Sequence, residues 1–171
     1  MSAAVHAARC AATKKNMRYW LMKSEPDEAS IDDALAAKNG TLPWTGVRNY
    51  QARNFMRDAM QVGDLAFFYH SGCATPGIAG VCEIASEPYP DATQFDPSSP
   101  YHDPRSAPDS PRWLLRDVRF VRKSRHVPLS ELRSHAELAN MRLLALGNRL
   151  SITPVSPGEW TFITNQLMDL R

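Results

Sequence analysis

The stretch Arg18-Tyr-Trp-Leu-Met-Lys23 is aromatic and apolar through its centre, and Ser24-Glu-Pro-Asp27 follows it at once. The first segment reads as a buried β-strand and the second as its end. Working outward, Ser30-Ile-Asp-Asp33 has the spacing of a capping box and predicts a short helix to about Lys38, stopped by Asn39-Gly40. A second helix is expected from about Asn49. Its Ala52, Phe55, Met56, Ala59 and Met60 recur with the period of a core-facing stripe. Gly63-Asp64 turns the chain into a strand over Leu65 to His70. Gly77 to Ser86 is another strand, in which Gly77 and Gly80 permit a bulge or a close approach.

Residues 87–111 carry seven of the thirteen prolines and no apolar period, so they read as one long loop. Beyond it, Trp113 to Lys123 is expected as a strand with two mixed faces, and Leu129 to Leu132 as a helical turn. Glu137 to Leu146 is expected as a helix stopped by Gly147-Asn148, and Leu150 to Val155 as a strand. Ser156-Pro-Gly-Glu159 is a second capping box, with proline at the first helical position, opening a C-terminal helix. Strands and helices interleave without regular alternation, no repeat is visible, and no glycine-rich phosphate loop follows a strand. The pattern fits an α+β chain: a small mixed β-barrel with peripheral α-helices.

Composition narrows the function classes. The 171 residues suit one domain with a sizeable core. A formal net charge of +2 implies no partner by itself, but charge is unevenly spread. Arg112 to Arg125 holds six Lys/Arg against one Asp, whereas Glu87 to Asp109 is acidic. Three cysteines without a C-x-x-C pair argue against a disulfide framework and a zinc site, and fit a reducing compartment. Five histidines lack metal-ligand spacing, so neither a metal nor another cofactor is expected. No apolar run is long enough to span a membrane. Residues 1–16 are Ala-rich, basic and free of acids. Their composition weakly resembles that of an organelle transit peptide, but the plainer reading is a disordered or misassigned N-terminal extension, leaving one domain over 17–171.

Four polar segments fall at predicted strand ends or beside them: Lys23-Ser24-Glu25, Trp44 through Tyr50, Tyr69-His70-Ser71, and Arg149-Leu-Ser151. Strand ends of a small barrel converge at its rim, so these segments can form one pocket. Thr41-Leu-Pro-Trp-Thr-Gly-Val-Arg-Asn-Tyr-Gln51 is the richest of them. An aromatic face stacks on a flat ring, an amide reads its edge, and a guanidinium holds an attached phosphate. Trp44 alone leaves two readings open, pocket wall and core plug. Trp20, Trp113 and Trp160 lean toward core. An enzyme would need Ser24, Ser71 or Ser151 as nucleophile, His70 as base and Glu25 to orient it, but no nucleophile elbow supports this. A histidine satisfied at a strand end is an equal reading of His70, and Cys73 reads as an inert thiol. Arg116, Arg119, Arg122 and Lys123 on the basic strand either track a nucleic-acid backbone or form a solvated face.

Taken together, Trp20-Leu-Met-Lys-Ser-Glu-Pro26, Trp44-x-Gly-Val-Arg-Asn-Tyr-Gln-Ala-Arg53, Gly63-Asp64 leading to Phe-Tyr-His-Ser71, Pro76-Gly-Ile-Ala-Gly80 and Arg149-Leu-Ser151 resemble the EVE domain family, in order, from about Met17 to about Gln166. The resemblance implies a PUA-like fold similar to the YTH domain, and a non-catalytic reader of a modified base, notably a modified cytosine in DNA or in RNA. It implies that Trp44 forms an aromatic wall with Val47, Arg48 and Asn49 beside it. Lys23, Ser24 and Glu25 would then lie at one strand end, Tyr69, His70 and Ser71 at another, and Arg149 and Ser151 would complete the rim. Every one of these motif positions is kept. An enzyme acting on a modified nucleoside, or a module binding a small molecule or protein, is the alternative use of the same pocket. The expected location is the cytoplasm in a bacterium or the nucleus in a eukaryote.

Overall fold

The computed structural model describes residues 16–168. The extension expected over residues 1–16 therefore lies, apart from Asn16, outside the described residues. Six strands form one mixed sheet: β1 (Tyr19–Ser24), β2 (Thr41–Pro43), β3 (Leu65–His70), β4 (Gly77–Ile84), β7 (Asp117–Pro128) and β8 (Ile152–Val155). Their order across the sheet is β2-β7-β4-β3-β1-β8. The β1–β3 pair is parallel and the other pairs are antiparallel. A separate two-stranded ribbon pairs β5 (Tyr89–Pro90) with β6 (Leu114–Leu115). The chain is thus α+β, as the interleaved pattern predicts.

Successive side chains of a strand point to opposite faces, and here both faces are buried. Along β1 and β3, Trp20, Met22, Ala66 and Phe68 enter one apolar cluster while Leu21, Phe67 and Tyr69 enter the other. The first cluster is covered by α1 (Ile31–Ala36) through Ile31 and Ala34. Helix α2 (Tyr50–Asn54) and the wider π-type turn that continues it, Phe55–Ala59, add Ala52 and Met56. The second is covered by Leu132 of α3 (Leu129–Arg133) and by Trp160 of α4 (Pro157–Phe162). Both capping boxes form: Ser30 with Asp33, and Ser156 with Glu159. Asp64 then ties β1 down by accepting from the Arg18 and Gln61 N–H groups and, at 3.0 Å, from the Trp20 indole.

Two sequence expectations change. Glu137 to Leu146 is not one helix but two 3₁₀ turns, Ala136–Leu138 and Arg142–Leu144. Leu138, Met141 and Leu144 recur every third residue, the 3₁₀ period, and all three pack into the second cluster. The expected strand from Trp113 is interrupted at Arg116 and resumes as β7, which runs on to Pro128.

That interruption corrects the reading of Arg116 as a nucleic-acid contact. Its side chain is 2% exposed. It donates to the backbone carbonyls of Met56 (2.6 Å), Met60 (2.8 Å) and Ser86 (2.9 Å). The guanidinium thereby satisfies carbonyls in and just beyond the π-type turn that would otherwise be buried without donors. Arg116→Ala is expected to lower unfolding free energy by about 3 kcal/mol or more. Arg119→Ala, which removes an exposed ion pair with Glu83, is expected to stay within about 1 kcal/mol of the parent. Urea denaturation of the two variants measures the contrast, and equal effects would refute the structural role of Arg116.

Candidate functional site

The C-terminal ends of parallel β1 and β3, the N-terminal end of β8 and the exit of β2 all reach one rim. Lys23, Ser24, Glu25, Trp44, Val47, Ser71, Arg149 and Ser151 line a single cavity of about 260 Å³ there. Backbone bonds lock the rim: Lys23 N–H donates to Ser151 C=O and Ser71 N–H to Ser24 C=O. Because β2 and β8 are the two edges of the sheet, a pocket lined from both edges means that the sheet curls on itself. The volume sits just below the range of about 300–1,000 Å³ usual for drug-sized ligands, so it suits one ring system.

The pocket has an apolar floor and a charged rim. Trp44 is 4% and Val47 3% exposed, and both belong to the first apolar cluster. The two readings of Trp44 are therefore not exclusive: its indole packs edge-on against Phe68, with centroids 5.1 Å apart, and also lines the cavity. Lys23, Arg149, Glu25 and Glu28 supply the charged part of the lining. Burial holds the Lys23 ammonium below its ordinary pKa, and its Nζ lies 6.0 Å from the Tyr69 ring centre.

Four other predicted site residues stand outside the lining. Asn49 caps α2, its Oδ1 accepting from Gln51 N–H (2.9 Å) and Ala52 N–H (3.1 Å), and it faces a neighbouring groove. Tyr69 is 2% exposed, within the second cluster. His70 Nε2 accepts the Ile31 N–H at the start of α1, 3.1 Å away, and burial keeps the imidazole pKa low. A neutral ring is what an acceptor requires. Arg48 turns away from the cavity: it donates to Tyr101 C=O (2.8 Å), Thr93 Oγ1 (2.9 Å) and Asp91 Oδ2 (3.0 Å).

Sequence reasoning missed Tyr101 and Glu28, and gave Gly46 no role of its own. The long loop over 87–111 folds back so that Tyr101 walls the pocket, with its hydroxyl on Glu28. Gly46 has φ +84°, and a Cβ there would lie 2.7 Å from the Tyr101 ring, so glycine permits both the turn and the contact. Asp91 holds the loop in place by accepting from Gly46 N–H, Thr93 and Arg48. Burial by itself would raise the Asp91 pKa, but hydrogen bonds from Thr93, Gly46 and Arg48 outweigh it and hold the carboxyl below its usual range. The proline-rich composition marks a long loop but gives no partner for Tyr101, which sits 55 residues from Gly46 in sequence.

On the basic strand, Arg119 pairs with Glu83 at 2.9 Å and Lys123 with Asp32 at 2.6 Å, while Arg122 has no carboxylate at ion-pair distance among the described residues. Most of that charge is therefore neutralised within the protein. Among the described residues no cluster of three His, Cys, Asp or Glu is placed to hold a metal ion, and no helix is long and apolar enough to cross a membrane. Cys82 is fully buried, which pushes its thiol pKa up to about 12.

The architecture is a six-stranded mixed sheet curled around a ring-sized pocket with a polar rim. The family model of the EVE domain matches residues 18–166, and the chain belongs to that family. It is 47% identical to human thymocyte nuclear protein 1 over 163 residues, covering 85% of this chain and 72% of that protein. A solved structure of the human THYN1 protein in complex with 5-methylcytosine-containing DNA is 46% identical, with a TM-score of 0.81 over 85% of this chain and 95% of that one. A protein from Leishmania major gives 44% identity and a TM-score of 0.83, over 89% and 95% of the two chains.

Arg48→Ala is expected to cost about 3–5 kcal/mol of stability, because Asp91 is left buried without its cation. A merely ligand-binding arginine would leave the melting temperature unchanged. The depressed Asp91 pKa contributes stability that is present above the unfolded carboxylate pKa of about 3.9 and is lost as pH falls through the lower folded value. A stability profile between pH 6 and pH 2 should show a fall that is shallower in Asp91→Asn.

Proposed function

We propose that this protein is a non-catalytic reader of modified cytosine in DNA, taking the modified base out of the strand and into the cavity at the sheet rim. The observation that carries the reading is the lining itself: a buried indole beside hydroxyls and carboxylates, with two cations at the mouth and a volume for one ring. The solved complex of a 46%-identical relative with 5-methylcytosine-containing DNA supports the choice of cytosine.

In this reading Trp44 and Tyr101 supply the aromatic walls, worth about 1–3 kcal/mol per stacked base. Extruding a base costs a few kcal/mol, so stacking offsets that cost without a large surplus. The edge of the ring is read by Glu25, which can accept from the cytosine N4 amino group, and by the Ser24 and Ser71 hydroxyls. Lys23 and Arg149 hold phosphates beside the flipped nucleotide. Asn49 and Arg48 support the walls and do not read the base. The C5 modification meets apolar surface at Val47. Burying one methyl contributes about 1 kcal/mol, a preference of about five-fold over unmodified cytosine.

A catalytic use of the pocket gains less support. Ser24 and Ser71 line the cavity, but the neighbouring His70 commits Nε2 to the Ile31 N–H and is absent from the lining.

Fluorescence anisotropy with oligonucleotides that differ only in cytosine modification, at two salt concentrations, tests the proposal. Tighter binding of the modified strand is expected, and equal affinities would overturn the reader function. Arg149→Ala should weaken both strands alike and lower the slope of log affinity against log salt by about one. Ser71→Ala should instead reduce the preference between the strands.

A further inference from the structure

Leu146 is wholly exposed, at 106% of the reference area, on a turn that is otherwise firmly built. An exposed leucine alone is ordinary. This one sits at the second position of a β-turn over 145–148, closed by Asn148 N–H donating to Ala145 C=O at 3.1 Å. Gly147 follows with φ +72°, the left-handed conformation that a type II turn requires at its third position. The Asn148 side chain braces the turn from both ends, donating to Arg142 C=O (3.0 Å) and accepting from Leu150 N–H (3.1 Å). The turn therefore presents an apolar side chain on a fixed backbone, although it buries nothing.

Its surroundings are cationic and continuous with the pocket. Two grooves flank the turn. Arg149 lines both the base pocket and one groove, and Lys23 lines both the base pocket and the other. Arg142 and Arg133 line the same two grooves. None of these four cations has a carboxylate at ion-pair distance among the described residues, whereas Arg119, Lys123 and Arg125 on β7 are each paired. Around the turn four cations thus lack a carboxylate partner among the described residues, whereas on β7 Arg122 alone does among Arg119, Arg122, Lys123 and Arg125.

We propose that the 145–148 turn enters the DNA duplex beside the pocket, with Leu146 filling the gap in the base stack left by the extruded cytosine and Arg142 and Arg133 on the flanking phosphates. The proposal rests on the base-reading function proposed above. Apolar wedges between base steps are a general means of stabilising unstacked DNA, and a braced leucine flanked by arginines has that chemistry. It also answers an energetic need: stacking in the pocket roughly offsets the cost of extrusion, so a contact replacing the lost stacking within the duplex favours the flipped state.

The test compares Leu146→Ser with the parent protein on duplex and single-stranded oligonucleotides carrying one 5-methylcytosine, with 2-aminopurine as its 3′ neighbour. Leu146 makes no buried contact, so the substitution leaves the fold intact, and equal melting temperatures verify this. A single strand has no stack to repair. The variant is expected to bind the modified single strand as the parent does, but the duplex about ten-fold or more weakly. The rise in 2-aminopurine fluorescence that the parent produces on the duplex should also be lost. Unchanged duplex affinity and fluorescence, with the preference for 5-methylcytosine kept, would overturn the wedge while leaving the reader function standing. A parent protein without any preference on either substrate would overturn the reader function and the wedge with it.

Discussion

A sheet that is apolar on both faces has to be covered on both, and the site depends on how this chain meets that requirement. Helices α1 and α2 cover one face and α3 and α4 the other, but none of them is longer than six residues, apart from the π-type turns that extend two of them. Short helices cover little area, so the sheet supplies part of its own cover by curling until its edge strands approach one rim. Where curling stops short of closure, the side chains leaving β1, β2, β3 and β8 surround a gap. Its floor is the top of the core and its rim is whatever polar residues the strand ends carry. The pocket is therefore not an addition to the fold but the place where its cover is incomplete.

Electrostatics divides the many cations between two tasks. Arg116 and Arg48 act inward, one on backbone carbonyls in and beyond a helical turn and the other on a buried carboxylate that anchors a long loop. Those on β7 are largely spent on neighbouring carboxylates. Lys23 and Arg149 at the pocket, with Arg133 and Arg142 beside the 145–148 turn, have no carboxylate at ion-pair distance among the described residues and stay available to an anionic partner. A formal net charge of +2 conceals this, because a sum over the chain does not distinguish a neutralised arginine from an unpaired one.

The pattern of residues made much of this legible. The β1 strand, both capping boxes, the Leu65–His70 strand and the convergence of strand-end motifs follow from local propensity and from side-chain direction. Three features depend on packing that local pattern does not encode. Glu137 to Leu146 contains good helix formers, but its Leu138, Met141 and Leu144 fall on a three-residue period, and packing chose the tighter turn. Arg48 and Asn49 adjoin Trp44 in sequence, but neighbouring residues of a loop point in different directions, and these two bond to Asp91 and to the start of α2. Arg116 belongs to the same basic run as Arg119 and Lys123, but a break in the strand turns it into the core.

By itself, the sequence determined the α+β class, the elements with strong local signals, and the family to which the chain belongs. These rest on interactions within a few residues, such as Ser30 with Asp33, or on motifs whose order is kept. The tertiary structure decided which side chains face the cavity, and which cations are available. Tyr101 reaches the pocket because Arg48 and Asp91 hold its loop across 43 residues of sequence. His70 becomes a helix-end acceptor because the end of β3 meets the start of α1. Such pairings are chosen by the packing of distant segments, and no local pattern of residue types encodes the partner.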